Sequence, residues 1–328
     1  MRKNKKNSPI GTVLLVVLLV VLVAIAAVSG IKLYRYYADY AKDRDHYEDL
    51  RDEVVKEQTE AEQATLEEES EETEEENSTP KYRKKLRKRT KRASTAPLSI
   101  DWEELKAINK DIIGWVYFTG LPQISYPILQ AQDNAYYVHR TFDLSDDSSK
   151  AGSIFMDYRM AGDFSSPYSV IYGHNVRDGS MLSDLAQLTD QELYDEEPYF
   201  WILTPDGNYR YQIFSIFQCH RSADVFQEDF DTWGIAFNDW QENLKARNVM
   251  KGDVALSENG HVIAFSTCVP NSFDRTIVCG TYIGGDTLPD PHPDTEAVTL
   301  PWETLTQSAV WMCLSATMPH RSIQWRPR

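Results

Sequence analysis

The chain has 328 residues, a formal net charge of −16 and four cysteines. This length allows one or two domains. The negative net charge of the whole molecule argues against a nucleic-acid-binding protein. The cysteines have no short regular spacing, which indicates neither a disulfide framework nor a zinc site.

The first stretch of the chain is typical of a membrane anchor. Residues 1–9 form a short basic tip, and residues 10–31 form an uncharged run rich in Val and Leu. As a helix this run would be about 33 Å long, enough for a bilayer core of about 30 Å. A cleaved signal peptide is the alternative, but its apolar region usually has only about 7 to 15 residues. We therefore predict an uncleaved single-pass anchor at 10–31, with the basic tip in the cytoplasm and the rest of the chain outside the cell.

Residues 32–97 are predicted to form a charged extracellular stalk. The part up to about residue 69 has a helix-forming composition, but its apolar positions are too sparse to predict a buried stripe. Residues 60–76 contain ten glutamates, and residues 81–92 contain nine lysines or arginines. The two blocks could partly neutralise each other, or the basic block could bind anionic wall polymer or lipid headgroups.

The globular part begins near Leu98 and reads mostly as β-strands. Short helical spacing predicts a helix over 101–109, and large apolar residues predict a second, core-facing helix over 227–249. The apolar residues of that second helix are Phe230, Trp233, Phe237, Trp240 and Leu244. Strands are predicted over 114–119, 124–130, 153–158, 168–172, 200–204 and 209–220, with a hairpin turn at 205–208. Two further strands, described next, bring the number to about eight, which predicts a closed or nearly closed β-barrel.

One of these further strands ends at a cysteine that is a candidate nucleophile. The stretch 260–268 alternates bulky and small residues up to Cys268, and a polar loop then leads to Arg275 at the start of the last strand. If the two strands are neighbours, about 4.8 Å apart, the thiol and the guanidinium lie at the same end of the sheet. A thiol nucleophile beside a fixed cation suits acyl transfer. A free cysteine is more often an ordinary buried apolar residue, so this interpretation depends on a third group.

His174 is the candidate for that third group. It follows the strand 168–172 at the point where the strand passes into a polar loop, a common position for catalytic residues. His220 adjoins Cys219, but successive strand residues point to opposite faces, so this pair cannot act together. Cys279 is interpreted as a core residue; a Cys268–Cys279 disulfide is conceivable but would inactivate the site.

Together these stretches resemble the sortases, and class B sortases in particular. The resemblance rests on several motifs in the expected order. They are Ser266-Thr267-Cys268 with Arg275 downstream, Tyr172-Gly173-His174-Asn175 followed by Asp178-Gly179-Ser180-Met181, residues 109–115, residues 126–130, and Asp133-Asn134 with Tyr137. The resemblance covers about residues 98–284, which are predicted to be the catalytic domain. It implies a mostly β fold, a sortase-type eight-stranded β-barrel with peripheral helices, among them an amino-terminal helix and a long helix before the cysteine strand.

The resemblance also implies a function, that of a membrane-anchored cysteine transpeptidase. Such an enzyme cuts a C-terminal sorting signal on an exported surface protein and joins the new carboxyl end to a cell-wall or pilin amine. The matching positions imply that Cys268, His174 and Arg275 are catalytic, and Ser266, Thr267 and Asn134 are expected to bind substrate. We expect no metal, no cofactor and no nucleic-acid partner.

Two alternatives to a sortase concern the same residues. An exported L,D-transpeptidase-like cysteine acyltransferase would require a compact His-Gly-Cys-type segment, which Phe265-Ser-Thr-Cys268 does not supply. A catalytically inactive barrel that serves as a wall-facing scaffold is the non-enzymatic alternative. Residues 285–328 depart from the family pattern, and we expect either a disordered extension or the product of a shifted reading frame, in which Cys313 is incidental.

Overall fold

The computed structural model describes residues 9–58 and 95–289. The glutamate block, the basic block and nearly all of the atypical tail therefore lie outside the described residues. The first helix, α1 (Pro9–Val54), runs through the predicted anchor and continues far beyond it. It is long and apolar enough to cross a membrane.

Eight strands form a closed barrel, which confirms the predicted fold class. The strands are β3 (Ile112–Phe118), β4 (Leu121–Leu129), β5 (Ile154–Met156), β6 (Tyr168–Tyr172), β7 (Tyr199–Leu203), β8 (Asn208–His220), β9 (Val262–Cys268) and β10 (Asp274–Gly285). Their order around the barrel is β10-β8-β7-β3-β4-β5-β6-β9. Neighbouring strands are antiparallel except for the β4–β5 and β6–β9 pairs, which are parallel. The parallel β6–β9 pair carries the ends of these two strands to the same rim of the barrel.

The barrel interior is filled by aromatic side chains from strands that are distant in sequence. The rings of Phe118, Phe200 and Phe265 lie 5.1 Å apart, centroid to centroid, in each of the three pairs. Phe265 belongs to the bulky face of the cysteine strand, so that face points into the barrel. The small face, which includes Cys268, therefore points outward, away from the aromatic core.

Short helices cover the outside of the barrel. α2 (Trp102–Ile108) begins at Asp101, whose carboxylate accepts a hydrogen bond from the Glu104 amide at 3.1 Å. α3 (Gln191–Glu196) precedes β7, and α4 (Ile235–Ala246) precedes the cysteine strand.

The long helix predicted over 227–249 is shorter in the structure. It starts only after Gly234, so Phe230 and Trp233 lie in the preceding loop. Phe230 still packs against Phe237 and Trp240 of α4, with ring centroids 5.6 and 6.5 Å away. The apolar spacing therefore continued past the true start of the helix because loop and helix contribute to one cluster.

The second half of α1 packs on the barrel, which differs from the sequence-based expectation for this segment. Buried residues recur on α1 at alternating intervals of three and four: Tyr40, Asp43, Tyr47, Leu50 and Val54. The helix is followed by β1 (Val55–Glu57), which pairs with β2 (Leu98–Ile100) beside the barrel. The prediction of no buried stripe was wrong because two of the five buried positions are tyrosines and one is an aspartate, which leaves only Leu50 and Val54 as aliphatic positions.

Candidate active site

Cys268 and Arg275 are direct cross-strand partners. In the antiparallel β9–β10 ladder, Arg275 is paired with Cys268, so both side chains lie on the same face of the sheet. Both residues are buried, with relative exposures of 4% for Cys268 and 2% for Arg275. The Nη1 atom of Arg275 donates to the carbonyl oxygens of Phe273 and Asp274, at 3.3 and 3.1 Å. The connecting turn thus holds the guanidinium on its own backbone beside the thiol.

His174 arrives at the same rim from the neighbouring parallel strand. Tyr172 is paired with Ser266 in the β6–β9 ladder, and the amide of Gly173 donates to the Ser266 carbonyl at 3.2 Å. Both chains continue by two residues, to His174 and Cys268 respectively. The side-chain amide of Asn175 then donates to the Cys268 carbonyl at 2.7 Å, which ties the two chain segments together. The three residues predicted to be catalytic therefore lie together at the ends of three adjacent strands.

The tautomer of His174 follows from its hydrogen bond. Its Nε2 atom lies 2.7 Å from the carbonyl oxygen of Val138, which can only accept. Nε2 must therefore carry the proton, and Nδ1 is the nitrogen that can accept one. The imidazole also stacks on His139, with ring centroids 5.7 Å apart.

Burial lowers the pKa of His174 to about 4, so the ring is neutral at pH 7. The hydrogen bond to Val138 opposes this shift, while the positive charges of His139 and Arg275 add to it. Burial also lowers the pKa of His139. A neutral imidazole of this tautomer can accept a proton at Nδ1.

This pKa leads to a prediction about stability at acidic pH. Between pH 6.5 and about 4 the unfolded chain protonates residue 174 and the folded chain does not, so folded stability falls as the pH falls. His174→Gln keeps an N–H donor for Val138 and removes the titration. We expect the wild type to lose on the order of 3 kcal/mol more than this variant over that interval. Urea unfolding of both proteins at pH 7 and pH 4 measures the difference, and parallel losses would contradict the prediction.

The predicted substrate-binding residues have different surroundings. Ser266 is buried on the same strand face as Cys268, while Thr267 points the other way, and its hydroxyl oxygen has no hydrogen-bond partner within the described residues. Asn134 is engaged at both ends of its amide: Nδ2 donates to Asp157 at 2.9 Å, and Oδ1 accepts from the Tyr158 amide at 3.0 Å. A substrate contact by Asn134 would have to replace one of these bonds. The role of all three residues in substrate binding stays a prediction.

A buried ion pair behind β6 was not predicted from the sequence. The carboxylate of Asp157 is fully buried and accepts from Nε and Nη2 of Arg159, each at 3.0 Å, and from the Tyr172 hydroxyl at 2.9 Å. Arg159 also donates to the Phe226 carbonyl at 2.8 Å, in the connection between β8 and α4. The pair therefore joins the strand that leads to His174 to the loop that runs alongside it.

Breaking this pair is expected to destabilise the protein strongly. Arg159→Gln leaves the buried carboxylate of Asp157 without its counter-ion, and such losses typically cost about 3 to 5 kcal/mol. Lys245→Gln is the matched control, because its partner Asp253 is 88% exposed and such surface pairs contribute about 0 to 1 kcal/mol. Urea unfolding at pH 7 gives the free energy of unfolding of both variants. Equal losses of free energy would show that the Asp157–Arg159 pair stabilises the protein no more than an exposed ion pair does.

The other two cysteines within the described ranges are reduced thiols outside any disulfide. Cys219 lies across Arg275 on the opposite side from Cys268, and burial raises its pKa to about 12. Cys279 is fully buried, and burial raises the pKa of its thiol as well. Both are thus protonated at neutral pH and unsuited to nucleophilic attack.

Within residues 9–58 and 95–289, no group of three or more His, Cys, Asp or Glu side chains could hold a metal ion. What the described rim does assemble is a thiol, a neutral imidazole and a buried guanidinium. This set can perform nucleophilic acyl transfer: the thiol attacks, the imidazole moves the proton, and the cation faces the developing oxyanion.

The chain is similar to sortase B proteins in both sequence and fold. It is 33% identical to the sortase B of Listeria monocytogenes over 165 residues, which are 50% of this chain and 65% of that protein, slightly less than two thirds of its length. A Staphylococcus aureus sortase B–substrate complex superposes with a TM-score of 0.51 at 27% identity, over 56% of this chain and 84% of that one. A sortase B complexed with triglycine gives a TM-score of 0.50 at 27% identity, over 56% and 85%. No protein-family model matches the chain.

Proposed function

We propose that this chain is a class B sortase, a membrane-anchored cysteine transpeptidase for exported surface proteins; its similarity to sortase B proteins in sequence and fold supports the proposal. The observation that carries the proposal is the pairing of Cys268 with Arg275 on neighbouring strands, with His174 at the end of the next one. Relatives crystallised with a substrate and with triglycine support a peptide substrate and an amine acceptor.

The first half of the reaction forms a thioester. The sulfur of Cys268 attacks the scissile carbonyl carbon of the sorting signal while Nδ1 of His174 takes the thiol proton. Negative charge develops on the carbonyl oxygen, and the Arg275 guanidinium stabilises it; one such donor is typically worth about 3 kcal/mol. The C–N bond then breaks, and His174 returns its proton to the departing amine.

The second half transfers the acyl group to an amine. The incoming amine attacks the thioester carbonyl, loses a proton to His174, and expels Cys268 as the sulfur leaving group. His174 passes that proton to the Cys268 sulfur, and the site returns to its starting state. The acceptor in this proposal is an amine of a cell-wall precursor or of a pilin lysine.

The first part of α1 fits the membrane anchor of this proposal. Residues 13–31 are exposed and apolar, and basic residues precede them in the sequence. With that basic end in the cytoplasm, the barrel would stand on the extracellular side of the cell membrane. α1 would then leave the membrane on its extracellular side, which is also the side on which the exported substrate and the wall amine meet.

The test uses the full chain in detergent or nanodiscs, a small library of C-terminal sorting-signal peptides, a set of peptidoglycan stem peptides, and several amines. A product that joins the amino-terminal part of one peptide to an added amine supports the proposal. Transfer confined to peptidoglycan stem peptides would indicate the L,D-transpeptidase alternative. A folded protein without turnover on any of these substrates would indicate an inactive scaffold.

A further inference from the structure

The half of α1 that lies beyond the apolar run makes its buried side-chain hydrogen bonds to a short segment of the barrel domain, residues 149–153. The Tyr47 hydroxyl donates to the Gly152 carbonyl oxygen at 2.7 Å and lies 3.1 Å from the Ser153 hydroxyl. The Asp43 carboxylate accepts from the Ser149 hydroxyl at 2.9 Å and from the Ala151 amide at 3.3 Å. Tyr47 and Asp43 are both buried, so these bonds are shielded from water.

The segment 149–153 in turn lies directly on the chain that holds His174. The Ser153 amide donates to the Tyr137 carbonyl at 3.0 Å. Gly152 has a φ of +56°, and a Cβ added there would come within 2.1 Å of the Val138 carbonyl oxygen. That oxygen is the acceptor of the His174 Nε2 proton. Only a glycine allows this approach, so a continuous set of contacts runs from Tyr47 through Gly152 and Val138 to the imidazole.

We propose that α1 positions the catalytic histidine: Asp43 and Tyr47 fix the segment 149–153, and this segment fixes the Val138 carbonyl that orients His174. The inference rests on the proposed function, since it assigns α1 a part in that same site. Tyr47 and Asp43 are positioning residues that act through the backbone, and neither of them touches a reacting atom.

The consequence is a mechanical link between the membrane and the chemistry. α1 is a single helix from the apolar run to Val54, and Tyr47 lies sixteen residues beyond Ile31, about 24 Å along the helix axis. The helix that leaves the bilayer is thus the same rigid element that sets the orientation of the imidazole. If α1 only stabilised the fold, substitutions in it would lower the melting temperature without changing how His174 assists the Cys268 thiol.

The experiment compares Tyr47→Phe with Tyr37→Phe in the full chain. Tyr37 is on the same helix, is 51% exposed, and is not one of the residues through which α1 bonds to the segment 149–153. For Tyr47→Phe we expect kcat to fall about three- to tenfold, the range for one lost hydrogen bond, with the KM for the peptide unchanged. Tyr37→Phe should leave both constants at the wild-type values. Gly152→Ala, which pushes on the Val138 carbonyl directly, should lower kcat further.

A second readout does not depend on turnover. Iodoacetamide alkylation of Cys268 at pH 7, measured by peptide mass spectrometry, reports how well His174 assists the thiol. Tyr47→Phe should slow it in the wild-type background and have no effect in the His174→Ala background. A Tyr47→Phe effect of the same size in both backgrounds would overturn the inference alone. Equal alkylation of wild type and His174→Ala would overturn the proposed function and the inference together.

Discussion

Cys268→Ala is expected to abolish acyl transfer completely. Without the sulfur no thioester forms, and the described part of the rim offers no substitute nucleophile: the nearest other thiol there, Cys219, lies on the far side of Arg275 and is protonated at neutral pH. In the peptide-and-amine assay, the rate of acyl transfer should fall to that of the uncatalysed reaction. Folding should be little affected, because alanine removes one small group from a face that points out of the aromatic core.

Cys219→Ser is the matched control for this variant. It removes a thiol from the strand on the other side of Arg275 and should stay active. Residual transfer by Cys268→Ala above the background, or loss of transfer in Cys219→Ser alone, would mean that the nucleophile has been assigned to the wrong residue.

Arg275→Lys is expected to lower kcat by about 10²- to 10³-fold, the usual effect of removing one oxyanion donor. Lysine keeps the positive charge but loses the planar guanidinium, whose Nη1 atom now donates to the Phe273 and Asp274 carbonyls. The ammonium would have to find new partners in a site where Arg275 is only 2% exposed. The KM for the peptide should change much less than kcat, because the interaction develops mainly in the transition state.

Arg221→Lys serves as the control for charge and position. Arg221 stacks over Phe273 at the same end of the barrel, with its guanidinium carbon 4.5 Å from the ring centroid. It should keep a kcat close to that of the wild type. If Arg275→Lys fell no further than Arg221→Lys, the guanidinium of residue 275 could not be the oxyanion partner.

Most of the barrel could be predicted from the sequence because its strands alternate clearly and are separated by turn residues. The hairpin at 205–208 and the strand 168–172 were placed correctly. The pairing of Cys268 with Arg275 also followed, since two strands joined by a short polar loop are usually neighbours. Alternation could not reveal the parallel β6–β9 pairing, which depends on chain segments about ninety residues apart.

The packing of α1 on the barrel could not be predicted, because three of the five residues in its buried stripe are Tyr or Asp and only Leu50 and Val54 are aliphatic. Tyr47 and Asp43 are held by hydrogen bonds to groups more than one hundred residues away, such as the Tyr47–Gly152 bond. Sequence periodicity scores them as exposed. The same limit applies to Asn134. Its hydrogen bonds to Asp157 and Tyr158 form only in the folded chain, and no local sequence pattern indicates them.

The central claim is that Cys268 forms a thioester with help from His174, and mass spectrometry of the acyl-enzyme tests it most directly. The full chain is mixed with a sorting-signal peptide without added amine, quenched in acid and digested. In the wild type we expect the fragment that contains Cys268 to carry the added mass of the cleaved peptide. In His174→Ala this acylated fragment should appear at least about a hundredfold more slowly, because losing an acid–base group usually costs about 10²- to 10⁴-fold in rate. Modification of another residue, or equal acylation of both proteins, would contradict it.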